Sequence, residues 1–157
     1  MNLLTLSPQE KDLFKIVSVI RQLSEYLSRN PGIVLGGYAS DVDLNSGNSD
    51  NTIAITSLWT NWVLHSCVVK NKGTTASLTT ATAGLFTATG GGGTTLAANQ
   101  ALSAITSNAV NTDRNLTSLT LSASSVWRNH ENLYFRVGTA QGAAATADVY
   151  VFIRPLP

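Results

Sequence analysis

The apolar residues of this chain repeat on two different periods, and no single regular element satisfies both. Before Pro31 the spacing is helical: Leu13, Ile16, Ile20, Leu23 and Leu27 are separated by 3, 4, 3 and 4 residues. That is a heptad seam over about two heptads. Ser7-Pro8-Gln9-Glu10 reads as its start, with Ser7 as the cap, Pro8 at the first helical position and Glu10 completing a capping box. Pro31 and Gly32 cannot continue the helix, so it is expected to end near Asn30. Phe14, Val17, Val19 and Tyr26 widen the apolar surface beyond one stripe. A lone helix cannot bury such a surface on itself. Its partner is either the same helix in neighbouring subunits or the chain's own remaining domain. The mixed Ile/Leu seam favours a bundle of three copies, with Leu13, Ile16, Ile20, Leu23 and Leu27 as the oligomer interface.

After the helix, residues 31–51 read as an extended connector: a short apolar piece, Ile33 to Leu35, followed by turn residues. From Thr52 the pattern becomes that of β-structure. Strands are expected at Thr52–Ile55, Asn61–Val69, within Thr75–Ala88, at Leu96–Ile105 (strand in preference to a short helix), Leu116–Ser122, Leu133–Gly138 and Ala147–Arg154. Lys70–Gly73 reads as a turn, Gly90–Gly93 as a loop tip and Thr139–Thr146 as a hairpin loop. No regular helices alternate with these strands. The fold class is therefore mainly β: an antiparallel β-sandwich, jelly-roll or Greek-key like, preceded by one N-terminal amphipathic α-helix. The expected division is an oligomerising helix over residues 1–30, the connector over 31–51 and the sandwich over 52–157.

Composition narrows the function classes. Of 157 residues 43% are hydrophobic and only 12% are charged, where about a quarter is usual. So weakly charged a surface suits a protein covered by neighbours in an assembly better than a free monomer. The net charge of +1 gives no global field to draw nucleic acid or an anionic membrane. No run approaches the 18 or so apolar residues that a membrane helix needs. The opening MNLLTLSPQEKDL does not read as a secretory signal, and the single cysteine, Cys67, permits no internal disulfide.

The motifs that invite chemistry each lack a part. The tetraglycine Gly90–Gly93 is followed by Thr94-Thr95-Leu96, without the lysine of a phosphate-binding loop. Asp41-Val42-Asp43-Leu44-Asn45-Ser46-Gly47 alternates oxygen side chains like the start of a calcium loop. Its glycine comes one position late, however, and Thr52 stands where a bidentate glutamate belongs. His65 and Cys67, two apart on an expected strand, would share a face, yet a zinc site needs three or four ligands. After Asp50 the acids are only Asp113, Glu131 and Asp148, and no pair of them is singled out for acid–base work. Asn115-Leu116-Thr117 is a sequon, meaningful only on a eukaryotic secretory route. Trp62 is expected in the core, while Trp59 and Trp127 are candidate contacts for a partner or a ligand such as a glycan. The expectation is a protein without catalytic residues, metal or cofactor.

Ser77–Gly93 (SLTTATAGLFTATGGGG) and Leu133–Phe152 (LYFRVGTAQGAAATADVYVF), with the charged helix Lys11–Arg29 ahead of them, resemble small virion-associated proteins of tailed bacteriophages. The resemblance covers most of the chain and is one of composition and phrasing. It implies a structural part of a virion, assembled in the bacterial host cytoplasm: a capsid decoration or head-fibre protein, or a neck or tail appendage. The expected function is a non-enzymatic, homotrimeric decoration or head-fibre protein attached to the particle. Its partners would be itself and the major capsid protein or other virion proteins, with neither nucleic acid nor membrane. The alternative is a tail or neck module that binds a host-surface glycan.

Overall fold

A computed structural model describes residues 12, 15–22, 32–56, 61–72, 77–106, 115–122, 126–128 and 132–156; for 126–128 it describes the backbone only. The chain divides into two units, one of residues 1–32 with Pro157 and one of Ile33–Leu156.

In the first unit, residues 15–22 form a helix, α1, and all eight are exposed. Its apolar residues are β-branched: Ile16, Val17, Val19 and Ile20. Lys15 and Asp12 pair at 3.8 Å across one turn, at the solvent surface. The expected capping box at Ser7–Glu10, the expected end near Asn30 and the seam residues Leu13, Leu23 and Leu27 lie outside the described residues.

The second unit is an antiparallel sandwich of two sheets. Sheet I runs β1 (Val34–Asp43), β9 (Thr146–Leu156), β3 (Asn61–Asn71) and β6 (Leu116–Ser118), with β7 (Val126–Arg128) pairing further along the same strand β3. Sheet II runs β2 (Ser49–Ala54), β8 (Asn132–Thr139), β4 (Thr82–Phe86) and β5 (Thr95–Ala101). The pairs β1·β9, β2·β8, β3·β6 and β4·β5 nest inside one another like the rungs of one long hairpin. That hairpin is wound up so that β9 also meets β3 and β8 also meets β4. Nested pairs wound in this way are the jelly roll, one of the two sandwich types expected from the pattern of short strands.

The midpoint of the long hairpin is the tetraglycine. Gly90, Gly91 and Gly93 all have φ near +70°, a region that side-chain-bearing residues seldom adopt. A short 3-10 turn, Thr89–Gly91, closes the tip. The tip is latched to sheet II. Asp50 Oδ2 accepts the Gly90 N–H at 2.7 Å, Asp50 Oδ1 takes the Arg136 guanidinium at 3.0 Å, and the same guanidinium donates to Asn48 Oδ1 at 3.0 Å.

The core lies between the sheets. Trp62, Leu64, Cys67 and Val69 of β3 and Val149, Val151 and Ile153 of β9 face Ile53, Leu85, Leu96, Leu133 and Phe135 of sheet II, all 0–3% exposed. Each such aliphatic or aromatic side chain contributes roughly 1.5–3 kcal/mol by leaving water. β1 and β2 come close at Gly37, where an added Cβ would stand 2.5 Å from Ile53 and 2.8 Å from the Ala54 carbonyl oxygen.

The expected strand Leu96–Ile105 ends at Ala101, β7 is not among the expected strands, and three further stretches differ from the sequence expectation. Val34–Asp43, read as connector, is strand β1, and the second unit begins at Ile33. Its period is hidden because irregularities between Leu35 and Gly37 and between Ala39 and Val42 shift the alternation twice. Lys70 and Asn71, read as turn, continue β3, and Asn71 is 1% exposed. Leu116–Ser122, read as one strand, is strand only to Ser118. The chain then crosses to sheet II and covers the edge of β5. Ser122 N–H donates to the Leu96 carbonyl at 2.7 Å, and Gln100 exchanges two hydrogen bonds with the Thr120 backbone. The alternation persists because residues 119–122 still face a core on one side.

Candidate functional site

Strand β3 separates the two residues that most suggested chemistry. Between Leu64 and Ser66 its pairing with β9 slips by one, leaving His65 as the extra residue of a bulge. The slip inverts the alternation. His65 is exposed, with Nδ1 3.2 Å from the Ser66 hydroxyl oxygen, whereas Cys67 is 0% exposed. The expectation of a shared face is thus corrected: a regular strand would place i and i+2 together, and the bulge places them on opposite sides. Burial alone pushes the Cys67 thiol up to about 12, so it is not a nucleophile at neutral pH.

The acidic loop is occupied by its own neighbours. Asp41 has φ of 52° at the second irregularity of β1. Its carboxylate pairs with Lys72 at 3.1 Å, and its N–H donates to Asp148 Oδ1 at 3.2 Å. Lys72 also reaches Asp148 at 3.6 Å. The hydrogen bond to Asp41 raises the Lys72 pKa, and the Asp148 charge adds to it. Asp43 Oδ1 accepts the Asn45 N–H at 2.8 Å, an Asx turn. Among the described residues no three of His, Cys, Asp or Glu converge on a metal-sized site. Asn115 of the sequon is 2% exposed.

Trp62 lies in the core at 2% exposure, and Trp127, on β7, stands opposite it in the ladder. Trp59 and the side chain of Trp127 lie outside the described residues. Of the helical seam, Ile16 and Ile20 are described, and they are 56% and 60% exposed.

Among the described residues, the outer face of sheet I is a broad surface with a chemical character. The register lays Tyr38, Tyr150, Val68 and Ser118 in a row across all four strands. Leu35, Phe152 and Ser66 make the next row. The Tyr38 and Tyr150 rings stand 5.0 Å apart, tilted by 40°. Leu35 and Tyr38 are 50% and 44% exposed, while Tyr150, Phe152 and Val68 are half-buried. Burial and the nearby Asp148 charge push the Tyr38 pKa up, so its hydroxyl stays protonated at neutral pH. A shallow depression of about 360 Å³ lies beside this face, lined by Leu35, Gly36, Gly37, Tyr38, Ala54 and Thr56. Nothing in it ionises except Tyr38, so it offers shape and apolar contact rather than acid–base groups. The sequence hid this surface because its residues come from four strands far apart in the chain. Only the register collects them.

No protein-family description, curated protein or solved structure matches this chain.

Proposed function

We propose that this chain is a non-enzymatic structural protein that works as a homotrimer, with associated helices carrying three jelly-roll domains, and that it is a capsid decoration or head-fibre component of a bacteriophage particle. The observation that carries the self-association is the apolar side of α1. Ile16, Val17, Val19 and Ile20 are 56–61% exposed. Four adjacent β-branched side chains left in water are removed from it when like helices pack along them.

The assignment to a virion rests on the phrase resemblance of Ser77–Gly93 and Leu133–Phe152 and on the weakly charged composition. The absence of catalysis is supported by what the suggestive residues do instead. Cys67 fills the core, His65 stands on a bulge, and Asp41 and Asp148 neutralise Lys72.

Light scattering on the full chain tests the oligomer. The expected mass is three times that of the chain, falling toward one when Ile16→Lys and Ile20→Lys are combined. A monomer at every concentration would sink the reading. Co-purification of the protein with phage capsids, visible as density on the shell, tests the location.

A further inference from the structure

The two outer faces of the sandwich are unlike. A sandwich that meets water on both sides carries polar side chains outward on both sheets. Sheet II does so, with Thr52 and Asn132 exposed and Arg136 half-buried beside Asp50. Sheet I does not. The large apolar side chains standing most open among the described residues of this unit are Ile33, Leu35, Tyr38 and Leu116, at 42–53%. All of them lie on β1 or β6 or immediately before β1, and Phe152 and Tyr150 join the same rows. Tyrosine and phenylalanine mark the cores of protein interfaces more than they mark free surface.

We infer that the outer face of sheet I, centred on Leu35, Tyr38, Tyr150 and Phe152, is a second interface on which another copy of this chain docks. Three observations choose that occupant. The face is close to electrically neutral. Its charges are of both signs, Asp41 and Asp148 with Lys72 and Lys70, and an exposed Arg154, so the face does not strongly repel a copy of itself and attracts no strongly charged partner. The strand at its edge, β1, is the one that the helical segment leads into. Eleven residue steps separate Gln22 from Ile33, a covalent reach of at most about 40 Å. Copies joined through their helices therefore hold their sheet I faces at an effective concentration on the order of millimolar, at which a modest apolar contact is occupied. The inference rests on the proposed association of the helices and adds the surface through which the domains themselves meet.

The test is thiol labelling of the full chain carrying Leu35→Cys, with Thr52→Cys on the outer face of sheet II as reference. Native Cys67 is buried and silent. Light scattering is read on the same samples. Labelling at position 35 should slow by at least about tenfold as concentration rises through the assembly midpoint, while position 52 stays fast. Leu35→Glu should raise that midpoint by about tenfold or more, with an unchanged thermal melt. Fast labelling at position 35 in a sample that scatters as a trimer would overturn this inference and leave the helical reading standing. Slow labelling that ignores concentration would assign the face to the chain's own residues and equally overturn it. A chain that is monomeric throughout would remove both.

Discussion

Gln141 holds a loop by one oxygen. Its Oε1 accepts the N–H groups of Thr79, Thr80 and Ala81 at 3.1, 3.3 and 3.1 Å, and its Nε2 donates to Thr79 Oγ1 at 3.2 Å. The side chain is only 7% exposed. Leucine in its place would strand three donors away from water, at a cost of about 2–4 kcal/mol. The denaturation midpoint of Gln141→Leu should fall accordingly with an unchanged slope. Gln141→Glu keeps the acceptor and should lose less than half as much. Cys67 makes a second prediction. Its thiol stays neutral in the fold to about 12, against 9.0 when free. The folded chain thus holds this proton where the unfolded chain has released it. Stability from this group is complete below pH 9 and declines as pH rises toward 12, by at most about 1.4 kcal/mol per pH unit. Chemical denaturation from pH 8 to 11 should show that decline in the wild type and a flatter curve in Cys67→Ala.

Within β3, the burial pattern reads as two regular halves joined by one extra residue. Leu64 stands opposite Ile153 and Ser66 opposite Phe152, which are consecutive. Deleting His65 should therefore leave an unbroken ladder and a folded domain, with a melting temperature within several degrees of the wild type. Deleting Val68 should abolish folding, because Val69 would turn outward and Lys70 inward. Circular dichroism of the two deletions decides it. The same device sets what the sequence can disclose. Val149–Ile153 is an unbroken run of β-branched and aromatic residues and is legible by eye as a strand, whereas β1 slips twice and passes for connector. β7, three residues long, falls below any periodicity. Candidate chemistry suffers likewise: spacing joined His65 to Cys67, and a single bulge parted them. The helix at residues 15–22 is legible from its spacing, whereas nothing in any strand's pattern says what covers its exposed Ile16 and Ile20.

At the level of the molecule, the nested pairs impose an order on folding. β4 and β5 are joined by a short glycine tip, while Asp41 meets Asp148 across 107 positions of chain. Loop-closure entropy makes the inner pair the cheapest to form and the outer pair the dearest. Refolding should fall in the millisecond-to-second range of sandwiches. Leu85→Ala at the inner pair should mainly slow refolding, and Val42→Ala at the outer pair should mainly speed unfolding, both read from chevron plots. The outer pair has one more consequence. Val34 stands beside Ile153 and Asp43 beside Thr146, so the domain's first and last strands leave from the same pole. Tension applied between Ile33 and Leu156 would unzip these two strands rung by rung at low force. Tension between Ile33 and the exposed Gly142, past the opposite end of β9, would load every rung at once in shear. The domain is therefore a mechanically directional anchor, yielding when tugged by both ends and resisting when hauled lengthwise.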